Sequence, residues 1–277
     1  MKPNVKKDLK MKLKINININ SKPSTVRSIL LQIITEAGYN KTEIDELITK
    51  AILFTTAPAA RREMLRPNQE IEQRWYNSIK QGNPDFDVYN TPWYIAECFA
   101  CWKVYSRKYL RNCEVSGVFD IITTVNNVLD LGCGVGITTA TLADRFPNAE
   151  IIGTNILFSM QYNIAKIFGQ HFNFKVMEDI PEKRVDIVFA SEFFEHLKVP
   201  TFYLQYILMK ADPKILIVAN TFGSPAIGHF PTYLTHEGPT QSGRETARDF
   251  TSMLRYYGYK NLDCHFWNNR PQVWSKF

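Results

Sequence analysis

Val128-Leu129-Asp130-Leu131-Gly132-Cys133-Gly134-Val135-Gly136 sets the frame of this chain. A short apolar run ends beside an acidic residue, three glycines alternate with small residues, and 137–146 continues with the apolar spacing of a helix. The order is strand, tight turn, helix. Alternating glycines remove side chains where a backbone turns sharply and a ligand must come close, and the helix behind them begins with free N–H groups. The turn suits a nucleotide-like ligand. Its spacing is G-x-G-x-G, not the G-x-G-x-x-G of dinucleotide sites, and the sequence contains no G-x-x-x-x-G-K-[ST]. Hydride transfer and nucleoside triphosphate chemistry are therefore disfavoured.

Downstream of this turn, strand and helix patterns alternate. Strands are expected at 150–154, 172–177, 185–190 and 215–219, with helices at 157–168, 201–210 and 245–257 and a terminal pair of strands at 261–267 and 272–276. Such alternation implies a doubly wound α/β fold, a mostly parallel sheet with helices on both faces. Upstream, helical periodicity marks 26–37, a segment from about residue 42, and 70–80. Thr91 and Pro92 then open a longer helix over 93–111, since proline is pre-organised for a first helical position. The chain divides into a basic tail or edge strand at 1–20, a helical region at 21–117 and the α/β domain at 118–277.

Of 277 residues, 45% are hydrophobic and the formal net charge is +6. The excess of basic residues lies entirely in the first 120, with six lysines between Lys2 and Lys14. That run reads as a solvated tail, with nucleic acid as a second candidate partner. No apolar run approaches the roughly 18 residues of a membrane helix, and no continuous apolar signal core follows the basic start, so the expected location is cytoplasmic. Five cysteines make no disulfide framework. Cys98 and Cys101 form a C-x-x-C without a second pair at metal spacing, and core packing is the expected role.

With Asp130 two residues before the first glycine, the opening stretch resembles motif I of the class I S-adenosylmethionine-dependent methyltransferases. A second match stands after the fourth strand of the α/β domain, where Ser191-Glu192-Phe193-Phe194-Glu195-His196-Leu197 resembles an E-x-x-E-H-L block frequent in methyltransferases of small molecules. The resemblance covers about 85–277 and implies the seven-stranded sheet of that class, with S-adenosylmethionine as cofactor and S-adenosylhomocysteine as product. It implies that Gly132, Cys133, Gly134 and Gly136 lie against the methionine part of the cofactor, with Asp130 stabilising the loop or reaching the amino group. It further assigns Asn155 and Ile156 to the ribose, Asp179 and Ile180 to the adenine, with Glu178 as the alternative polar residue there, and Ser191 and Glu192 to the cofactor wall. Asn155 departs from the family, which usually has a carboxylate there, and an amide lacks that charge assistance.

In an open α/β sheet the ligand lies beyond the carboxyl ends of the strands, so the chemistry belongs at these turns. His196 has an intrinsic pKa suited to a general base. The irregular stretch 220–244 suits a substrate cover, with His229 and His236 as substrate-contact candidates and no metal triad expected. Methyl transfer to oxygen, nitrogen or carbon of a small-molecule or nucleoside-like acceptor follows as the first expectation. Transfer of another S-adenosylmethionine-derived group, or a nucleic-acid-binding accessory that keeps the fold, are the alternatives. The acceptor and the oligomeric state are not legible in the sequence.

Overall fold

The computed structural model describes residues 17, 21–56, 66–157, 159–266 and 269–277. The expectations for the lysine-rich start and for a strand through 15–19 therefore lie outside the described residues, apart from Ile17, which is buried. The helical region comprises α1 (Pro23–Glu36), α2 (Lys41–Thr56), α3 (Arg66–Lys80), α4 (Pro92–Cys101) and α5 (Arg107–Val115). The α/β part runs β1 (Asn127–Leu131), α6 (Ile137–Arg145), β2 (Glu150–Thr154), α7 (Met160–Phe172), β3 (Lys175–Met177), β4 (Ile187–Ser191), α8 (Pro200–Lys210) and β5 (Ile215–Ala219). A hairpin of β6 (Thr232–Leu234) and β7 (Thr240–Ser242) follows, then α9 (Gly243–Tyr256), β8 (Lys260–Leu262) and β9 (Gln272–Ser275).

Seven strands form one sheet in the order β3-β2-β1-β4-β5-β9-β8. The first five are parallel, and β9 runs antiparallel to both β5 and β8. This is the doubly wound, mostly parallel sheet expected from the sequence. The central strands are buried almost continuously because both faces are covered, and successive side chains enter opposite faces. Val128, Ile187, Phe189 and Ile217 join an apolar cluster with Ile137, Phe168 and the helical region's Ile33 and Phe99. Leu129, Val188 and Leu216 join a second cluster with Leu204 of α8 and Phe250 of α9. Chain order reverses between β1 and β4, whose ends pair at Leu131 and Ala190. That switch point sets the glycine turn beside the start of the Glu192–Leu197 block.

Two local features differ from the sequence reading. The helix expected over 93–111 is broken by a π-helical turn, Trp102–Ser106, which widens the helix and turns Trp102, Tyr105 and Ser106 toward the cavity described below. The stretch 220–244 contains the β6–β7 hairpin, a pairing too short to leave a clear alternation. Among the described residues, no helix is long and apolar enough to cross a membrane.

Candidate active site

The glycine turn is held open by its neighbours. Gly132, Gly134 and Gly136 have φ of +65°, +54° and +91°, a left-handed backbone that costs other residues strain. The end of β2 fixes the turn: Gly132 N–H donates to Thr154 Oγ1 at 3.1 Å and Cys133 N–H to the Thr154 carbonyl at 2.8 Å. The Phe193 ring fills the space above Gly132, and Cys98 of α4 covers Gly134. Behind the turn, α6 begins at Gly136 without a side-chain cap.

A cavity of about 680 Å³ opens from this turn. That falls within the usual range of about 300–1,000 Å³ for small-ligand sites. Gly132, Cys133, Asn155, Ile156 and Glu178 line it where β1, β2 and β3 end. Tyr89, His196, Ile227, His229 and Arg270 line the part beyond β4 and β5. The helical region supplies one wall, and Trp75 on α3 locks it by donating its indole N–H to the His229 carbonyl at 2.9 Å.

The walls carry several carboxyl groups in poorly hydrated positions. Asp130, 2% exposed, accepts from the Thr139 hydroxyl at 2.6 Å. Burial pushes its carboxyl up to about 7, a rise that the Thr139 bond only partly offsets. Burial likewise raises Glu97 on α4 to about 7, and its Oε2 has no hydrogen-bond partner among the described residues. Glu192, at a backbone φ of +53°, faces Glu195. Burial raises both carboxyls, Glu192 to about 7, and the proximity of Glu192 lifts Glu195 further, while Arg270 opposes both rises.

The two cavity histidines are neutral. Burial, reinforced by the neighbouring His229, drives His196 well below the usual histidine range, and burial also lowers His229. Their rings meet edge to face at 4.6 Å. His196 Nδ1 lies 3.0 Å from the Tyr89 hydroxyl, and His229 Nδ1 donates to the Ser224 carbonyl at 2.9 Å.

A family model described as a methyltransferase domain matches residues 93–264, well over half of the chain. The chain belongs to the methyltransferase domain family. It is 30% identical over 105 residues to malonyl-[acyl-carrier protein] O-methyltransferase 2 of Ilyobacter polytropus, covering 36% of this chain and 40% of that protein. It is 29% identical over 142 residues to ribosomal RNA small subunit methyltransferase C of Haemophilus influenzae, covering 43% and 42%. The chain thus spans about 40% of the length of these curated relatives. Among solved structures, magnesium protoporphyrin IX methyltransferase from Synechocystis aligns at 16% identity and a TM-score of 0.41, over 68% of this chain and 92% of that one. Mitomycin 7-O-methyltransferase aligns at 15% and 0.48, over 78% and 69%.

Within this methyltransferase domain, the expected site residues do not all converge. Asp130, the turn residues Gly132, Cys133 and Gly134, and Asn155, Ile156, Ser191, Glu192, His196 and His229 all line the cavity. Gly136 lies just behind the turn, packed against Phe174 and Ala165. Asp179 does not line the cavity: its carboxylate accepts from Tyr206 at 2.7 Å and from Lys210 at 3.0 Å, and Glu178 stands at the wall instead. Ile180 is buried in the cluster on the far face of the sheet. His236 is carried away at the hairpin turn, where it packs on Phe202 at 5.1 Å. Asn155 is engaged at both ends of its amide, donating to the Gly134 carbonyl at 2.7 Å and accepting from Ile156 N–H at 2.8 Å.

Sequence reasoning missed Glu97, Tyr89 and Arg270 as cavity-facing groups. An acid on the apolar side of a helix was the legible signal for Glu97. Arg270 sits in a loop before the last strand, and only the sheet topology brings it here.

Proposed function

We propose that this chain is an S-adenosylmethionine-dependent methyltransferase acting on a small-molecule acceptor, and that the cofactor lies on the glycine turn. The observation that carries the reading is a glycine cradle opening into a cavity whose charged wall residues, Arg270 apart, are carboxyls. The carboxyls of Asp130, Glu97 and Glu178 suit a ligand bearing ammonium and sulfonium charges, and the partnerless Glu97 Oε2 has acceptor capacity to spare. When bound, the cofactor supplies a methyl group already activated on sulfur. The residues here then have mainly to orient the acceptor and exclude water. Tyr89, Phe193 and Ile227 provide the apolar enclosure, and His196, held neutral by burial, is placed to take a proton from the acceptor. The cavity's volume suits a small molecule, and the free cysteines suit a reducing, cytoplasmic compartment.

Isothermal titration calorimetry of the intact chain tests this reading. One S-adenosylmethionine and, in competition, one S-adenosylhomocysteine are expected per chain, and no binding of either overturns it. The position of Asn155 adds a second expectation. Restoring the family's usual acid with Asn155→Asp is expected to weaken cofactor binding about fivefold, because a carboxylate cannot donate to Gly134 and instead faces its carbonyl, a loss of about 1 kcal/mol. Tighter binding by the variant would show that the ribose contact outweighs the brace.

A further inference from the structure

Glu195 is fully buried, yet only half of its carboxylate is used. Oε1 accepts the Thr221 N–H at 2.8 Å, whereas Oε2 has no hydrogen-bond partner among the described residues. A buried acceptor left in that state costs about 1–3 kcal/mol, more when charged. Glu192 brings a second carboxylate toward the same point, and His229 brings an imidazole, so that one ligand atom from each lies within 4.8 Å of the others. His229 is itself 7% exposed and is fixed from behind. Its Nδ1–H is committed to the Ser224 carbonyl, which leaves the lone pair on Nε2, and its own carbonyl is held by Trp75. An imidazole whose far nitrogen donates to a carbonyl is the usual second-shell arrangement of a metal-bound histidine.

We propose that Glu192, Glu195 and His229 bind a divalent first-row transition cation at the acceptor end of the cavity. Ligands bonded to one cation at about 2.1 Å each lie about 3.0–3.4 Å apart at octahedral or tetrahedral angles, so the three side chains must close by up to about 1.5 Å to complete the set. The cation offsets the charge of the two carboxylates and gives Glu195 Oε2 a partner. Two carboxylates with an imidazole suit manganese, iron, cobalt or zinc better than magnesium, which prefers an all-oxygen shell. The ligands come from two separate segments, the turn after β4 and the loop after β5, so sequence spacing conceals them.

The metal site stands on these three side chains; its use in methyl transfer rests on the functional reading above. There it selects an acceptor that carries oxygen. A hydroxyl bound to the cation loses its proton more readily. That proton passes to His196, the new O–CH3 bond forms as the S–CH3 bond breaks, and the thioether leaves uncharged.

The test uses the full chain freed of metal with EDTA and titrated with Mn2+, the free ion being read by electron paramagnetic resonance. One saturable Mn2+ per chain is expected, with imidazole nitrogen modulation in the pulsed spectrum. Glu195→Gln, which preserves shape and the Thr221 bond, and His229→Gln are each expected to weaken Mn2+ binding at least tenfold, since even outer-shell changes cost about 10–100-fold. Absence of saturable binding, or binding without nitrogen modulation, overturns the site, and the wild-type spectrum decides the matter even where a variant fails to fold. Calorimetry with S-adenosylmethionine on the same sample separates the two readings. Cofactor binding without Mn2+ removes the metal site alone, and Mn2+ binding without the cofactor leaves the site standing and removes its role in methyl transfer.

Discussion

Gly132→Ala is expected to weaken S-adenosylmethionine binding about 100-fold, the equivalent of about 2.7 kcal/mol. Two costs meet at this position. A residue with a Cβ at φ +65° carries about 1–2 kcal/mol of left-handed strain. The added methyl would also stand 2.5 Å from Cδ2 of Phe193, and overpacking of that kind costs about 1–3 kcal/mol. The ring has little freedom to yield, because it packs edge-on against Phe194 at 5.2 Å and tilted against Tyr203 at 5.6 Å. In the free protein the turn relaxes away from the ring; the cofactor must draw it back, so the cost falls on binding. Gly38→Ala separates the two contributions. Gly38 has φ +82° with none of the described residues within 4 Å of its Cβ position, in the helical region away from the cavity. It should lose about 1 kcal/mol of stability in urea unfolding with no change in cofactor affinity. Equal affinity losses in both variants would show that the ring contact is irrelevant.

The contrast between these two glycines also bears on what a sequence discloses. Both are simply glycines at turns in the sequence, and only the three-dimensional neighbour distinguishes them. The fold itself was legible because its signals are local. The strands at 127–131, 150–154 and 215–219 read directly from apolar runs bounded by turn residues, and the helix expected over 245–257 is α9, which starts two residues earlier behind a capping box of Ser242 and Glu245. The cavity lining was legible only where it follows a strand end immediately, as in the glycine turn, Asn155, Ser191, Glu192 and His196. It failed where a side chain had a better partner elsewhere. Asp179 lies in the expected loop, but Tyr206 and Lys210 on α8 take its carboxylate, an interaction across 27 and 31 residues that no spacing rule anticipates. The π-helical turn was hidden for a related reason, since inserting one residue into a helical turn leaves the apolar pattern nearly intact.

Asp130→Asn is expected to stabilise the protein at neutral pH while weakening its grip on the cofactor. Burial raises the folded-state carboxyl to about 7, against about 3.9 in an unfolded chain. The folded protein therefore holds this proton more tightly than the unfolded one. The resulting stabilisation is fully present below about pH 4 and is lost as pH rises through about 7. At about 1.4 kcal/mol per pH unit, close to 4 kcal/mol is forfeited by pH 8. Asparagine has the shape and the donor of the protonated acid, keeps an oxygen for the Thr139 hydroxyl, and never ionises. Urea unfolding of variant and wild type from pH 4 to 8 should show the variant's relative stability climbing by about 4 kcal/mol, and a flat difference would mean that Asp130 ionises without penalty. Calorimetry at pH 8 should move the other way. A carboxylate held against its own desolvation is an acceptor of unusual strength for a cationic ligand, and the neutral amide should bind S-adenosylmethionine about tenfold more weakly through loss of charge assistance. Opposite signs in the two measurements are what a residue kept for binding at the expense of stability should give. A loss of stability at pH 8 would instead make Asp130 a structural brace of the glycine turn.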